Sequence, residues 1–386
     1  MSQISTHKSK SVLLIPLLMV SVVTSATANT IIRRITLVPL KSYPYLLSQM
    51  QGVAYLIFYS SILYSRYKQH DGTVTLEMLK IPKRPFIWIG FWDSVGDILG
   101  NLGTGHLPGY QVPLLAKLNI IFTALFSSLI LKKIYTTSQI SAMAVVLCGS
   151  IITLLPVILN EIFTHDTDDI SSDKDTTTSL FYAVVYVASV APTALAFVLK
   201  EQIFSQHASL NLDIFVVNTY GSIVSLVFTI LLLPLAAVPG FGEVKLSELL
   251  HYMKNGFQCF RGINPTAEDD CEGAPLAPLL YFCINVTYNI CLLALVKHGG
   301  ALLTFLTNTI TFPLSTILFT LSWPLLGSST LSGFVIAGLI VELSGVIFYQ
   351  QASSSAISKS NEVEDEEQLE LLNETIPNDD ANYGSI

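Results

Sequence analysis

Residues 214–233 read IFVVNTYGSIVSLVFTILLL, a run of twenty residues without a charged side chain. The hydrocarbon core of a bilayer is roughly 30 Å thick, and about 20 residues of apolar helix cross it. Nine further apolar stretches of similar length lie on either side of this run. The predicted spans are residues 11–32, 44–65, 86–105, 109–131, 135–158, 179–200, 214–237, 276–297, 300–325 and 330–351. A soluble domain cannot bury ten such helices in 386 residues, so the sequence predicts an all-α polytopic membrane protein.

Composition supports this fold class and excludes several functions. Hydrophobic residues make up 51% of the chain and charged residues 12%, about half the charged fraction of an average soluble domain. Much of the net charge of −8 comes from the tail Glu362–Asp380 and the loop Asp166–Asp175. The sequence contains no basic patch with interleaved aromatics, so it does not suggest a nucleic-acid partner. The sequence also has no P-loop, metal-ligand spacing or Ser/His/Asp set, so we expect no enzyme, cofactor or metal.

The spans divide into two halves of five. In each half, the fourth span follows a glycine-containing turn. An odd number of spans per half predicts two inverted five-helix repeats, with a substrate site between them at the midplane. A weak bias of Lys and Arg towards alternate connections places both termini in the cytosol. The predicted segments are a cytosolic N-terminus 1–10, a first repeat 11–158, a lumenal acidic loop 159–178, a second repeat 179–351 with a lumenal cysteine loop 239–275, and a disordered acidic tail 352–386.

The N-terminus allows two interpretations. Lys8 and Lys10 precede an apolar run, and Ala26-Thr27-Ala28 resembles a signal-peptidase site. The helix-compatible sequence nevertheless continues to Ile32, long enough to span the membrane, and we favour a retained first helix.

Charges at membrane depth are costly, so the few acids in the spans are candidates for function. Asp93 and Asp97 are four residues apart and share a helix face. Lys117 lies at a similar depth in the next span, which predicts that it approaches Asp97 and leaves Asp93 without a fixed cation. Asp93 is therefore the favoured proton-binding acid. Glu342 lies between Gly338 and Gly345, which predicts that it points into the helix bundle, either to bind protons or to stabilise the bundle.

Polar residues are dense in the eighth and ninth spans. They either satisfy interhelical hydrogen bonds or line a polar substrate cavity. The members that we assign to the cavity are Asn285, Tyr288, Asn289, Thr307 and Thr311, together with Asp97 and Lys117.

Two features lie outside the membrane. Cys259 and Cys271 share the 239–275 loop, where they form either a disulfide or two free thiols. In the same loop, apolar residues recur at helical spacing from Leu246, which predicts an interfacial amphipathic helix capped by Ser247 and ending at Gly256.

The tail carries two patterns that sorting adaptors bind. Glu367 with Leu371 and Leu372 fits an acidic dileucine motif, and Tyr383 with Ile386 fits a tyrosine-based motif. Their co-occurrence favours delivery to a vacuole or lysosome.

The chain resembles the chloroquine-resistance-transporter-like proteins of the drug/metabolite transporter superfamily. The resemblance extends over about residues 29–350. It is carried by Asn29–Arg34 with Tyr43–Tyr45, Phe91–Asp93, Lys200–Phe204 with Asp213 and Asn218, and Lys254–Cys259.

The resemblance implies ten helices in inverted repeats that move amino acids, oligopeptides, thiols or amphipathic cations at acidic vacuoles. It implies that Asp93 and Glu201 are proton-linked and that Thr30, Asn285 and Asn289 line the cavity. Cys259 and Cys271 would form one disulfide. Tyr288 replaces an acid of some members, which weakens the expectation of a cationic substrate.

The function that we expect is a proton-coupled secondary transporter that exports small organic solutes from an acidic vacuole or lysosome and so affects vacuolar osmotic balance. Its expected partners are a small-molecule substrate, protons, membrane lipid and sorting adaptors. The alternatives are a phosphate-sugar or nucleotide-sugar exchanger, for which Lys117 is the available cavity cation, and a receptor or scaffold without transport.

Overall fold

The computed structural model describes residues 2–40, 42–69, 73–106, 111–165, 173–234, 246–267, 269–323 and 333–375. All regular elements in these residues are helical. The α-helices are α1 (Ser2–Leu37), α2 (Pro44–Lys68), α3 (Leu76–Leu79), α4 (Arg84–His106), α5 (Gln111–Ala116), α6 (Leu118–Ile130), α7 (Thr137–His165), α8 (Asp173–Gln206), α9 (Ile214–Leu232), α10 (Leu249–Phe260), α11 (Leu276–Thr309), α12 (Thr311–Leu318) and α13 (Gly333–Thr375). Single 3₁₀ turns lie at Ala208–Leu210 and Leu246–Glu248.

Six stretches of the described chain are long and apolar enough to cross a membrane. They are Leu14–Leu37, Tyr45–Lys68, Phe181–Gln206, Ile214–Leu232, Leu276–Leu318 and Gly333–Ala356, and shorter apolar helical segments cover Leu118–Ile130 and Thr137–Thr153. Many of the large apolar side chains on these helices are exposed, for example Leu17, Ile57 and Leu231, as expected for surfaces that face lipid tails. The prediction of an all-α, multi-pass membrane protein is confirmed, whereas ten crossings in two inverted repeats remain a prediction.

The helices pack in pairs. Helix α1 lies against α11, α2 against α9, α4 against both α8 and α9, α6 against α8, and α7 against α13. Glycines allow the closest of these contacts, because a Cβ on Gly338 would lie 2.7 Å from the Gly149 carbonyl oxygen. Glu342 follows one turn after Gly338 and is 0% exposed, which confirms that it points into the bundle.

Helix α11 is kinked at Gly300, where the sequence predicts a turn. The residue adopts φ +83° and ψ 164°, a backbone conformation that a residue with a Cβ rarely takes. A Cβ there would also lie 2.7 Å from Glu201 Oε1. The kink thus needs glycine on both conformational and steric grounds.

Helix α10 covers the connection between α1 and α2. Gly256 and Cys259 are buried in this contact, and the ring centroids of Tyr43 and Tyr252 are 5.4 Å apart. Cys259 forms a disulfide with Cys271. The helix begins one residue later than predicted, since Ser247 lies in the preceding 3₁₀ turn and Glu248 is the N-cap residue, and it ends at Phe260 rather than at the predicted Gly256.

A hydrogen-bonded carboxylate ties this loop to the rest of the protein. Tyr43 donates a hydrogen bond of 2.8 Å to Asp269, and Thr266 donates one of 2.6 Å. Burial alone raises the pKa of Asp269, but the hydrogen bonds from Thr266, Tyr43 and Ser42 outweigh it and hold that pKa below its ordinary value of 3.8. Burial and the neighbouring Asp269 raise the pKa of Tyr43 to about 12.

Three predicted segment boundaries differ from the structure. Helix α7 continues to His165 and α8 begins at Asp173, so much of the predicted loop 159–178 is helical. Helix α13 continues to Thr375 into the tail for which we predict disorder. That part of the tail is rich in Glu and contains three Leu, which have high helix propensity. The dileucine motif at Glu367–Leu372 therefore lies on a helix, and Tyr383 and Ile386 lie outside the described residues.

Candidate functional site

A cavity of about 1030 Å³ lies between the helices. Its rim includes Leu37 and Val38 at the end of α1, Tyr45 at the start of α2 and Leu232 at the end of α9. The α10 helix and the disulfide lie on the same side of the molecule, which we call the α10 face. From this rim the cavity extends inwards as far as Lys200 on α8.

A network of polar side chains forms one wall of the cavity. Its centre is Tyr55 on α2, whose hydroxyl accepts hydrogen bonds of 2.8 Å from both Gln51 and Asn289 and donates one to Asn285. Asn285 in turn donates a 2.9 Å bond to Asn29 on α1. Three helices therefore fix the orientation of the amides that face the cavity.

Five of the eight cavity positions predicted from the sequence lie where we expect them, and three do not. Thr30, Asp97, Asn285, Tyr288 and Asn289 line the large cavity. Lys117 and Thr311 instead line an adjoining cavity of about 220 Å³, which shares Thr30, Asn119 and Phe312 with the first. Thr307 lines neither, because its side chain is fully buried in the protein interior.

The partner of Lys117 differs from our prediction. Its Nζ lies 3.8 Å from Glu342 Oε1 and donates a 3.1 Å hydrogen bond to the Thr309 carbonyl, so Lys117 does not pair with Asp97. Ser150 also donates a 2.6 Å bond to Glu342. The equal depth of Lys117 and Asp97 does not bring the two together, because α13 supplies the nearer acid.

Asp93 also has a partner that the sequence reasoning did not assign. Lys200 donates a 2.7 Å hydrogen bond to Asp93 Oδ2, and both side chains face the large cavity. Lys200 is the last residue of the predicted span 179–200, where a positive charge usually faces water or lipid headgroups. The expectation that Asp93 lacks a fixed cation is therefore wrong, and the cavity aspartate without an ion pair in the described structure is Asp97.

Two cavity cations were missed in the same way. Arg33 and Arg34 at the end of α1 line the cavity, although their position in the sequence suggested a connection outside the membrane. The Arg34 guanidinium carbon lies 5.4 Å from the centroid of the Phe319 ring. Among the residues that the structure describes, three cations and two acids therefore line the cavity.

The end of the cavity opposite the α10 face is closed. A cluster of buried apolar residues from α2, α3, α4, α8, α9 and α11 includes Tyr59, Phe86 and Phe215. Glu201 lies at this face, where it forms an ion pair with Lys133 and accepts a 2.9 Å hydrogen bond from the Ala301 N–H just after the kink in α11. We call Glu201, Lys133 and the Ala301 amide the latch.

A charged polar cavity enclosed by apolar helices is the arrangement of a multi-pass protein that carries polar solutes across a membrane. The chain belongs to the CRT-like family, whose model, described as chloroquine-resistance transporter-like, matches residues 14–349. Membership in this family indicates a membrane transporter of small solutes.

Individual relatives match most of the chain. It is 33% identical to "Protein CLT1, chloroplastic" of Arabidopsis thaliana over 86% of this chain and 72% of the relative. It is 28% identical to "Crt homolog 1" of Dictyostelium discoideum over 91% of this chain and 76% of the relative. The "Chloroquine resistance transporter" of Toxoplasma gondii is 27% identical over 84% of this chain and 37% of that longer protein.

Proposed function

We propose that this protein is a proton-coupled secondary transporter that exports small organic solutes, such as amino acids, oligopeptides or thiols, from an acidic vacuole or lysosome to the cytosol. The observation that carries the proposal is the Asp93–Lys200 ion pair, which faces a cavity of about 1030 Å³ inside a bundle of apolar helices. An acid that changes its charge in such a place changes the balance of forces between the helices that surround it.

Two features support ten helices in inverted repeats. The stretch Leu276–Leu318 has 43 residues, which would measure roughly 65 Å as one straight helix, about twice the bilayer core. The kink at Gly300 divides it into two lengths that each suit one crossing. The packing of the helices also follows the symmetry expected of inverted repeats. The contact of α1 with α11 corresponds to the contact of α8 with α4. Helices at equivalent positions in the two halves also contact each other, namely α2 with α9 and α7 with α13.

In this proposal the structure represents the state that is open at the α10 face. The α10 face would be lumenal, since a disulfide persists in an oxidising compartment. The latch and the apolar cluster would close the cytosolic side, where both termini would lie. Protonation of Asp93 from an acidic lumen would release Lys200. Glu201 in the latch and Glu342 at the α7–α13 contact would likewise have proton-linked roles.

The vacuolar or lysosomal location rests on the tail motifs and on the sign of the proposed proton gradient. Sorting adaptors would bind the dileucine motif at Glu367–Leu372 and the terminal Tyr383–Ile386 segment. The name of the Arabidopsis thaliana relative places that protein in chloroplasts. Organelle fractionation distinguishes the two locations, and recovery of this protein in a plastid envelope would contradict our assignment.

A second candidate is an exchanger of phosphate-sugars or nucleotide-sugars. Arg33 and Arg34 favour it, because they supply two cations to the large cavity in addition to Lys200. A non-transporting receptor or scaffold would show no flux in the experiment below.

The experiment uses purified protein in liposomes with the α10 face inwards and an acidic interior. The liposomes contain labelled amino acids and glutathione, and efflux is followed at several internal pH values. We expect acid-stimulated efflux that Asp93→Asn makes independent of pH and that Glu272→Gln, at an exposed loop carboxylate, leaves unchanged. Efflux of the Asp93→Asn variant with the pH dependence of the original protein would remove Asp93 from the mechanism.

A further inference from the structure

Two charged groups in the large cavity lack partners. Arg33 and Asp97 are both exposed to the cavity, and neither takes part in an ion pair or side-chain hydrogen bond within the described residues. The remaining charges there are engaged, since Asp93 pairs with Lys200 and Arg34 lies over the Phe319 ring.

The two unpartnered charges line the same cavity but do not form an ion pair. The side chains of Arg33 and Asp97 do not approach to within 4.0 Å of each other. Tyr281 also lines the cavity, and its hydroxyl donates a 2.7 Å hydrogen bond to Gln51 in the polar wall. A cation and an anion thus face one cavity, with oriented polar groups beside them.

We propose that Arg33 and Asp97 are the specificity-determining residues of this cavity, and that they select zwitterions. The Arg33 guanidinium binds the carboxylate of the solute and Asp97 binds its ammonium group. This assignment rests on the proposed transport function and names the chemistry of its substrate.

The chemistry of each residue suits its role. A guanidinium presents planar donors that match both oxygens of a carboxylate, so Arg33 binds the acid end in a defined orientation. Unpaired charges in a cavity of low dielectric constant are costly, and a zwitterion neutralises both at once. A solute with a single charge leaves one group unpaired and meets repulsion from it.

The neighbouring arginine supplies a matched control. Arg33 and Arg34 carry the same charge at adjacent positions of α1 and line the same cavity, but only Arg34 lies over an aromatic ring. A general attraction of anions into the cavity would depend equally on both residues. Specific binding of a carboxylate would depend chiefly on Arg33.

The test measures equilibrium binding to protein in lipid nanodiscs, so that it does not require transport. Three probes differ in charge: dialanine, its N-acetyl derivative, which is an anion with an added acetyl group, and dialanine amide, which is a cation of the same size as dialanine. They compete against tritiated dialanine in a scintillation proximity assay. We expect dialanine to bind about tenfold or more tightly than either derivative, which is the ratio that one charge-assisted hydrogen bond supplies.

The variants separate the two ends of the solute. Arg33→Gln should abolish the preference for dialanine over its amide, and Asp97→Asn should abolish the preference over the N-acetyl derivative. Arg33→Lys should restore part of the first preference, because a cation remains without the planar geometry. Equal binding of the three probes by the original protein, or an equal effect of Arg33→Gln and Arg34→Gln, overturns the assignment.

The outcome can be told apart from the fate of the proposed function. Selective dialanine binding without efflux from liposomes would support the two residues and contradict transport. Acid-stimulated efflux of solutes irrespective of their charge would support transport and contradict the two residues.

Discussion

Removal of Glu342 tests which acid neutralises Lys117. The side chain of Glu342 is 0% exposed, and its Oε1 atom lies 3.8 Å from Lys117 Nζ. Replacement of Glu342 by leucine leaves the ammonium group of Lys117 buried, with the Thr309 carbonyl as its remaining hydrogen-bond partner. Ser150 retains its 3.1 Å bond to the Val146 carbonyl, so its hydroxyl is not left unpaired.

The expected magnitude follows from the burial of the pair. Breaking a buried pair by removing one partner costs about 3–5 kcal/mol, whereas exchanging both partners for apolar residues is often neutral or stabilising. We expect the lower end of this range for Glu342→Leu, since 3.8 Å is long for a charged contact. Glu342→Leu combined with Lys117→Met should recover most of the loss, which gives a coupling free energy of roughly 3 kcal/mol.

The assay is reversible unfolding of the four proteins of this double-mutant cycle in mixed micelles, with the melting temperature as a second readout. A parallel cycle pairs Lys117→Met with Asp97→Leu, the partner that the spacing of the sequence predicts. Coupling in that cycle, or a double variant as unstable as the sum of its two single variants in the first, would refute the pairing with Glu342.

Three further predictions concern packing, the latch and the loop. Gly338→Ala should lower the free energy of unfolding by about 1–3 kcal/mol, because its Cβ would lie 2.7 Å from the Gly149 carbonyl. Gly333→Ala is the control, since a Cβ on Gly333 would have nothing within 4 Å. Similar melting temperatures for both variants would contradict the close contact. Lys133→Gln should weaken the partly exposed latch. A cysteine placed in the cavity by Asn218→Cys should then be labelled about threefold faster by a reagent added on the side of Lys133. An unchanged labelling rate would show that the Lys133–Glu201 pair does not hold this side closed. Because the pKa of Asp269 is lowered, its carboxylate stabilises the fold above the ordinary pKa of 3.8, and this stabilisation is lost as the pH falls through the lower folded value. Asp269→Asn should therefore reduce stability at pH 5–7 by an amount that decreases as the pH falls below 3.8, and a pH-independent difference would contradict the hydrogen-bonded carboxylate.

Most predicted spans lie on helices of the described structure, for a simple physical reason, although the span 109–131 is divided at Lys117 into α5 and α6. Each apolar stretch must satisfy its own backbone hydrogen bonds in lipid, so helix formation depends on local composition. The kink at Gly300 and the inward orientation of Glu342 follow from equally local features, namely a glycine pair and flanking small residues. Helix α13 extends beyond Ala356 because helix propensity, unlike hydrophobicity, does not end at the membrane boundary.

The partners of the charged residues could not be predicted in this way. A count of residues from a turn gives the depth of Lys117, but it does not show that α13 brings Glu342 alongside. Arg33 and Lys200 lie near the ends of predicted spans, where a positive charge usually faces water or lipid headgroups. That they line a cavity depends on the rotation of α1 and α8, which is set by side chains far away in the sequence.

Two consecutive residues of α8 connect the cavity to the latch. Neighbouring residues of a helix point about 100° apart, so Lys200 reaches Asp93 in the cavity while Glu201 reaches Lys133 and the Ala301 amide at the closed end. Because both side chains belong to one helix, a rotation of α8 in the proposed transport cycle would also displace the Glu201 carboxylate. Because Gly300 has no Cβ, the Glu201 carboxylate has the space that it occupies at the kink in α11. The neighbouring Lys200 contacts the charged group in the cavity. A protein built in this way needs no separate element to transmit a change in the cavity to its far end.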